Sequence, residues 1–365
     1  LRAASALRGL SVDEDVRTEI VARGALVPLL RLSNSDDVEI QMEVLAALCN
    51  LSLSGCIGQD PARFLKAVDV GNLVSFLCSA DVTYRLFGAV TLGNIASDVS
   101  LQAPIVRGGA LTPLITIANA ADLETQRCIA YSLCNLSANP ARRAAIVSEG
   151  GLPPLISLAC SDHPIDQRAA LATLRAISAD PDHRRAVVEA GVLEAFCLGA
   201  RCEEDVEVRR EAARLLFAVS LNELNKLDVA GIGTGSRAAA STTAEVATEL
   251  VGLARSDDPG CARNAVGALA NLSENDATHE RLLSWGASFL SGVSSVVDVG
   301  LGREVTRCLT NLSGNYAMHA KLLEGGVADA LVVSLKRDDA ITTRFAALGL
   351  ANLSGQVRYE LLFLC

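Results

Sequence analysis

Short apolar runs alternate with brief polar breaks along this chain, and the apolar positions recur at helical spacing. No stretch keeps the in-out alternation of a half-buried strand. Pro140 to Ser178 shows the unit: "PARRAAIVSEGG" predicts a short helix stopped by glycine, "LPPLISLAC" a second helix with proline in its first turn, and "PIDQRAALATLRAIS" a longer third. Ile165, Ala169, Leu171, Ala172 and Leu174 supply the expected apolar stripe of that third helix. The same punctuation, a Gly or Gly-Gly before the next apolar run, stands at Gly24, Gly71, Gly108, Gly109, Gly150, Gly151, Gly191, Gly286, Gly325 and Gly326.

The ends of the third helices repeat as well. "AALCNLS", "TLGNIAS", "YSLCNLS", "GALANLS", "CLTNLS" and "GLANLS" place Asn50, Asn94, Asn135, Asn271, Asn311 and Asn352 in one register, with Gly9, Ala176 and Ala218 at the equivalent positions of the other copies. The steps are 41, 44, 41, 41, 42, 53, 40 and 41 residues, so a unit of about forty residues spans the chain. One such unit cannot bury its apolar face alone, so neighbours must stack into a solenoid. The expectation is an all-α, continuous array over residues 1–365 that begins and ends inside repeats, with insertions near 53–70 and 221–245. The opening "LRAASALRGLS" is read as the end of a third helix rather than as a targeting segment.

"GALTPLITIANAADLETQRCIAYSLCNLSANPARRAAIVSEGG" resembles an armadillo repeat, and the resemblance covers essentially the whole chain. It implies a right-handed superhelix of about nine three-helix repeats whose third helices line a concave groove for partner proteins. Import adaptors of the importin-α type carry Trp four residues before the Asn. Here that place holds Ala46, Val90, Tyr131, Gly267, Arg307 and Leu348, and the single Trp, Trp285, lies elsewhere. The pattern looks more like catenin-like, vacuolar-adaptor-like or ciliary armadillo scaffolds.

What the asparagines do has two readings that can hold together. An amide offers donors and an acceptor that suit the backbone of an extended peptide. With helices about 8–10 Å apart and a strand rising about 3.3 Å per residue, one Asn would meet such a peptide roughly every three residues. Alternatively the Asn caps a helix end or ties the turn to the next repeat. Ala176 and Ala218 interrupt the row, which suggests two held segments joined by a loosely held stretch. Eight residues before the register stand Arg127, Arg168, Arg210, Arg263, Arg303 and Arg344, a candidate positive stripe beside the Asn row. The bland reading is local ion pairing, as of Glu124 with Arg127 or Glu207 with Arg210.

Charge and chemistry narrow the picture. A net charge of −10 disfavours a nonspecific nucleic-acid binder, and no apolar run reaches the length of a membrane span. The eleven cysteines form no C-x-x-C pair, and they read as small buried hydrophobes of a reducing compartment. His183, His279 and His319 fall seven or eight residues past the register, which points to surface or capping roles. The Asn-Leu-Ser triplets are formal glycosylation sequons, but at helix ends with no signal peptide in view that use is rejected. "GIGTGSRAAASTTAE", with Gly231, Gly233 and Gly235, lacks the preceding strand of a phosphate cradle and reads as a loop. The expected function is a non-enzymatic cytoplasmic scaffold without cofactor or metal, binding extended, acidic protein segments along an Asn- and Arg-lined groove. The alternative is a structural segment of a larger ciliary or membrane-tethered assembly that binds through its convex face or its ends.

Overall fold

The computed structural model describes residues 1–53, 70–118, 122–232, 240–286 and 298–363, together with 290 and 292. Those residues form helices and connecting turns, with no strand among them. The chain divides into two compact units, residues 1–158 and 159–365.

Each unit is a stack of the predicted three-helix repeats. In the first unit the helix Arg2–Leu10 packs on Val38–Leu51, which packs on Val82–Ala96, which packs on Leu123–Ser137. In the second, Pro164–Ser178, Val206–Val219, Pro259–Leu272, Val299–Ser313 and Ala340–Phe363 pack in succession. These are the third helices, and first and second helices cover their other side.

Local chemistry sets the boundaries. Apart from Arg2–Leu10 and Pro164–Ser178, whose N-caps are Leu1 and His163, the third helices start on an N-cap aspartate: the carboxylate of Asp37 accepts from the backbone N–H of Glu39 and Ile40, and that of Asp81 from Thr83 and Tyr84. First helices start on Asp13, Asp98, Asn139, Asp180 and Asn222, and Asn275 and Asn315 cap one-turn 3-10 segments that lead into His279–Ser284 and His319–Glu324. Between first and second helices the chain turns through the left-handed region at Gly24, Gly109, Gly150, Gly191, Gly286 and Gly326, where a side chain would be strained.

The unit at Pro140–Ser148, Leu152–Ala159 and Pro164–Ser178 follows its sequence reading, but the stripe of its third helix is shifted. Leu171 and Leu174 are buried with Ala170 and Ile177, whereas Ile165 is exposed. This helix packs on Val206–Val219 and also meets Pro181–Glu189 and Val192–Ala200, so it buries a wider face than one stripe. The expected insertion at 53–70 lies almost wholly outside the described residues. That at 221–245 is only partly an insertion: Glu223–Val229 is the first helix of its repeat, and the helix Ala240–Ala254 begins inside the stretch. Gly231 turns the chain out of the first of these at φ +71°, and Gly233 and Gly235 lie outside the described residues.

Candidate functional site

The register asparagines are tied to the repeat before them. The Asn94 amide donates from Nδ2 to Ser52 Oγ at 3.0 Å, Asn50 to Ser11 Oγ at 3.1 Å, Asn271 to Ser220 Oγ at 2.9 Å, Asn311 to Ser273 Oγ at 3.1 Å and Asn352 to Ser313 Oγ at 3.2 Å. Each serine stands two residues after the register of the preceding repeat. Its own hydroxyl proton is spent on a carbonyl of its own last turn, as in Ser52 to Cys49 at 2.7 Å, so its oxygen is left to accept. Asn135 is the exception that explains the rule. The preceding repeat has Ala96 where the serine belongs, and Asn135 donates to the Gly93 carbonyl instead at 2.9 Å. The tie to the neighbouring repeat is therefore real. It uses the amide nitrogen and fixes the orientation of the carboxamide.

Asn271 differs from the others. It is fully buried, and its Oδ1 accepts from Nη2 of Arg307 at 2.8 Å. Arg307 also donates to Glu304 and to Glu274 Oε1 at 2.7 Å, and Glu274 in turn accepts from the buried Lys226 at 2.7 Å. Asn50, Asn94, Asn135, Asn311 and Asn352 are half-buried.

The arginine row is also drawn into inter-repeat ties, over a distance that local pairing does not reach. Arg210 grips Asp258 through Nε at 3.0 Å and Nη2 at 2.6 Å and also holds Glu207, the local partner that the sequence offers. Arg303 grips Asp339 at 2.6 Å, Arg263 meets Asp298 at 2.7 Å, and Arg168 lies 3.6 Å from Asp205. Each of these aspartates begins the third helix of the next repeat, where it also accepts backbone N–H groups. The Arg210 guanidinium holds the Asp258 carboxyl well below the usual carboxylate range, and Arg303 does the same to Asp339. Asp298 is lowered first by the Leu301 N–H and then by Arg263. Arg127 lies half-buried on Leu123–Ser137, and Arg344 is exposed.

A third row closes the helix ends. Nε2 of His279 lies 2.7 Å from the Ser273 carbonyl and that of His319 2.7 Å from the Ser313 carbonyl, so in each ring Nε2 carries the proton. Gln102 to Ala96 at 3.0 Å, Arg143 to Ser137 at 2.9 Å and Arg184 to Ser178 at 3.0 Å do the same eight residues past their own registers. These histidines cap. Burial pushes the Cys49 thiol up to about 11 and the Cys308 thiol up to about 12, which keeps both protonated. Among the described residues no three His, Cys, Asp or Glu side chains cluster as metal ligands, and no helix is long and apolar enough to cross a membrane.

The outer faces of the third helices differ between the units. In the first they show Met42, Phe87, Val90, Tyr131 and Cys134, all half-buried. In the second they show Arg175, Arg214, Phe217, Glu304 and Arg307, also half-buried.

Stacked three-helix repeats, glycine-broken and tied through Asn at the end of the third helix, define an α-solenoid of the armadillo class. Residues 13–53 match the family model of the armadillo/beta-catenin-like repeat. An engineered protein of known crystal structure is similar over 97% of this chain and 94% of its own, at 24% identity and a TM-score of 0.65. Computationally designed armadillo repeat proteins for modular peptide recognition are similar over 66% of this chain and 99% of their own, at 20% identity and a TM-score of 0.55. No curated protein matches the chain. At these identities the likeness establishes the fold.

Proposed function

We propose that this protein is a non-enzymatic scaffold that holds extended segments of partner proteins along the outer faces of its third helices. The supporting observation is the fixed carboxamide of the register asparagines. Nδ2 is anchored to the preceding repeat in Asn50, Asn94, Asn135, Asn311 and Asn352, so each amide is pre-oriented and its half-exposed remainder meets a ligand without a further loss of freedom. One such group per repeat suits a backbone that presents donors and acceptors at regular intervals. The designed armadillo proteins with which the chain shares its fold were made for modular peptide recognition, which agrees with this reading. Asn271, with nitrogen and oxygen both engaged, does not contribute to the peptide row.

The preferred partner is acidic. The arginine row contributes less to that preference than its sequence suggests, because Arg210, Arg263 and Arg303 are bonded to aspartates. The exposed Arg344 and half-exposed arginines nearer the register carry it. The test is photo-crosslinking with peptides selected by display against the full chain. Crosslinks should map to the third helices near the asparagines; crosslinks confined to first and second helices would overturn the reading.

A further inference from the structure

The two successive repeats with alanine at the register position are not featureless. Arg175 stands beside Ala176, and Arg214 stands four residues before Ala218. Both donate to one carboxylate: Arg175 Nε to Glu211 Oε2 at 2.7 Å, and Arg214 Nη1 to Glu211 Oε1 at 2.6 Å. The Glu211 side chain is only 10% exposed, whereas those of Arg175 and Arg214 are 41% and 39% exposed. The carboxylate is thus the floor of the cluster and the guanidinium groups are its open side.

Two features set this pair apart from Arg210 and Arg307. Arg307 and Arg210 each engage Nε and both Nη atoms, so their forks are full. Arg175 and Arg214 each have a single bonded nitrogen, which leaves the paired Nη groups of Arg175 without a hydrogen-bond partner among the described residues. Charge is also unbalanced. Two cations share one anion, while further along the same helices Arg168 has Asp205, and Arg210 has Asp258 and Glu207. Phe217 adds an aromatic surface next to Arg214, lying where a Cβ on Gly267 would meet it at 2.8 Å.

We propose that Arg175 and Arg214, held by Glu211, form a carboxylate-reading site that takes a Glu or Asp side chain of an extended partner segment. The proposal rests on the groove reading and specifies its chemistry where the asparagines are missing: the backbone-holding row gives way to a site that reads a side chain. A bidentate guanidinium–carboxylate pair is strong and directional, and Glu211 pre-orients both forks. The excess charge of one unit is neutralised by a single carboxylate, whereas a phosphate dianion would overshoot it.

The test uses the full chain and three probes: an extended Ser/Thr-rich peptide with a pair of glutamates, its glutamine twin and its phosphoserine twin. Arginine Nε–Hε resonances report the site and fluorescence anisotropy reports affinity. The glutamate peptide should shift Arg175 and Arg214 and bind at least about ten-fold tighter than the glutamine twin, or about 1.4 kcal/mol. Removing all charges together, in Arg175→Gln/Glu211→Gln/Arg214→Gln, should erase the discrimination and leave the glutamine twin unchanged. Equal binding of the twins by the wild type, or discrimination that survives the triple variant, overturns the proposal, as does a phosphoserine twin more than about ten-fold tighter than the glutamate one. N-acetylglutamate α-amide, which carries only the side-chain carboxylate and needs no groove, separates the two failures. If it shifts Arg175 and Arg214 while no peptide binds, the groove reading fails and the carboxylate site stands; if it does not, the site fails.

Discussion

Asn94 and Ser52 stand 42 residues apart in sequence and 3.0 Å apart in space, the amide nitrogen of one donating to the hydroxyl of the other. The pair closes a chain of hydrogen bonds in which the Ser52 hydroxyl donates to the Cys49 carbonyl, so the end of one third helix is stitched to the end of the next. The same stitch recurs at Asn50, Asn271, Asn311 and Asn352, and its energetics can be read directly.

Asn94→Ala and Ser52→Ala should each lower the denaturant midpoint, by a stability loss of about 0.5–1.5 kcal/mol. The double variant should lose less than the sum, since both remove one bond. A double-mutant cycle by urea titration checks this. Additive losses would mean that the two residues act independently.

Asn271→Ala should cost more than Asn311→Ala. Asn271 is fully buried and serves Ser220 and Arg307 at once, so its loss leaves an acceptor and a guanidinium donor short in a dry site. The difference should be about 1–2 kcal/mol by the same titration. It should come with no change in peptide binding, which separates this residue from the peptide row.

The capping row should tolerate exchange between repeats. His279→Ala leaves the Ser273 carbonyl without its donor and should cost about 1–3 kcal/mol. His279→Gln and His279→Arg should recover most of that, because Gln102 and Arg143 do the same work elsewhere in the chain. Thermal melts of the three variants decide it.

Acid should loosen the stack through the N-cap aspartates. Asp258 and Asp339 have folded-state pKa values below the ordinary carboxylate value of about 3.9, depressed by Arg210 and Arg303. Groups shifted in this direction contribute fully above the unfolded value, and the contribution fades as pH falls below about 4 toward the folded values. Melting temperature should therefore fall between about pH 5 and pH 2. In Asp258→Asn/Asp339→Asn, which keeps both N-caps, it should start lower and fall less steeply.

The sequence by itself determined the repeat, its period and its three helices. Those depend on apolar spacing, on the glycines that take a left-handed turn and on prolines in first turns, and all of these act within a few residues. It also picked out Asn50, Asn94, Asn135, Asn271, Asn311 and Asn352 and the arginines eight residues earlier as special. It did not give their partners, because Ser52 for Asn94 or Asp258 for Arg210 lies a whole repeat away, and only stacking brings the two together. One signal for the arginines was present, a row of Asp37, Asp81, Asp122, Asp205, Asp258, Asp298 and Asp339 thirteen residues before the register. Its double use, as a helix cap and as the acceptor for a neighbour's guanidinium, appears only in three dimensions. Eight residues turn a helix through about 80° beyond two full turns. Register and arginine therefore share a broad face, and the next helix, not the spacing, decides which side chains it engages and which, like Arg175 and Arg214, it leaves partly open.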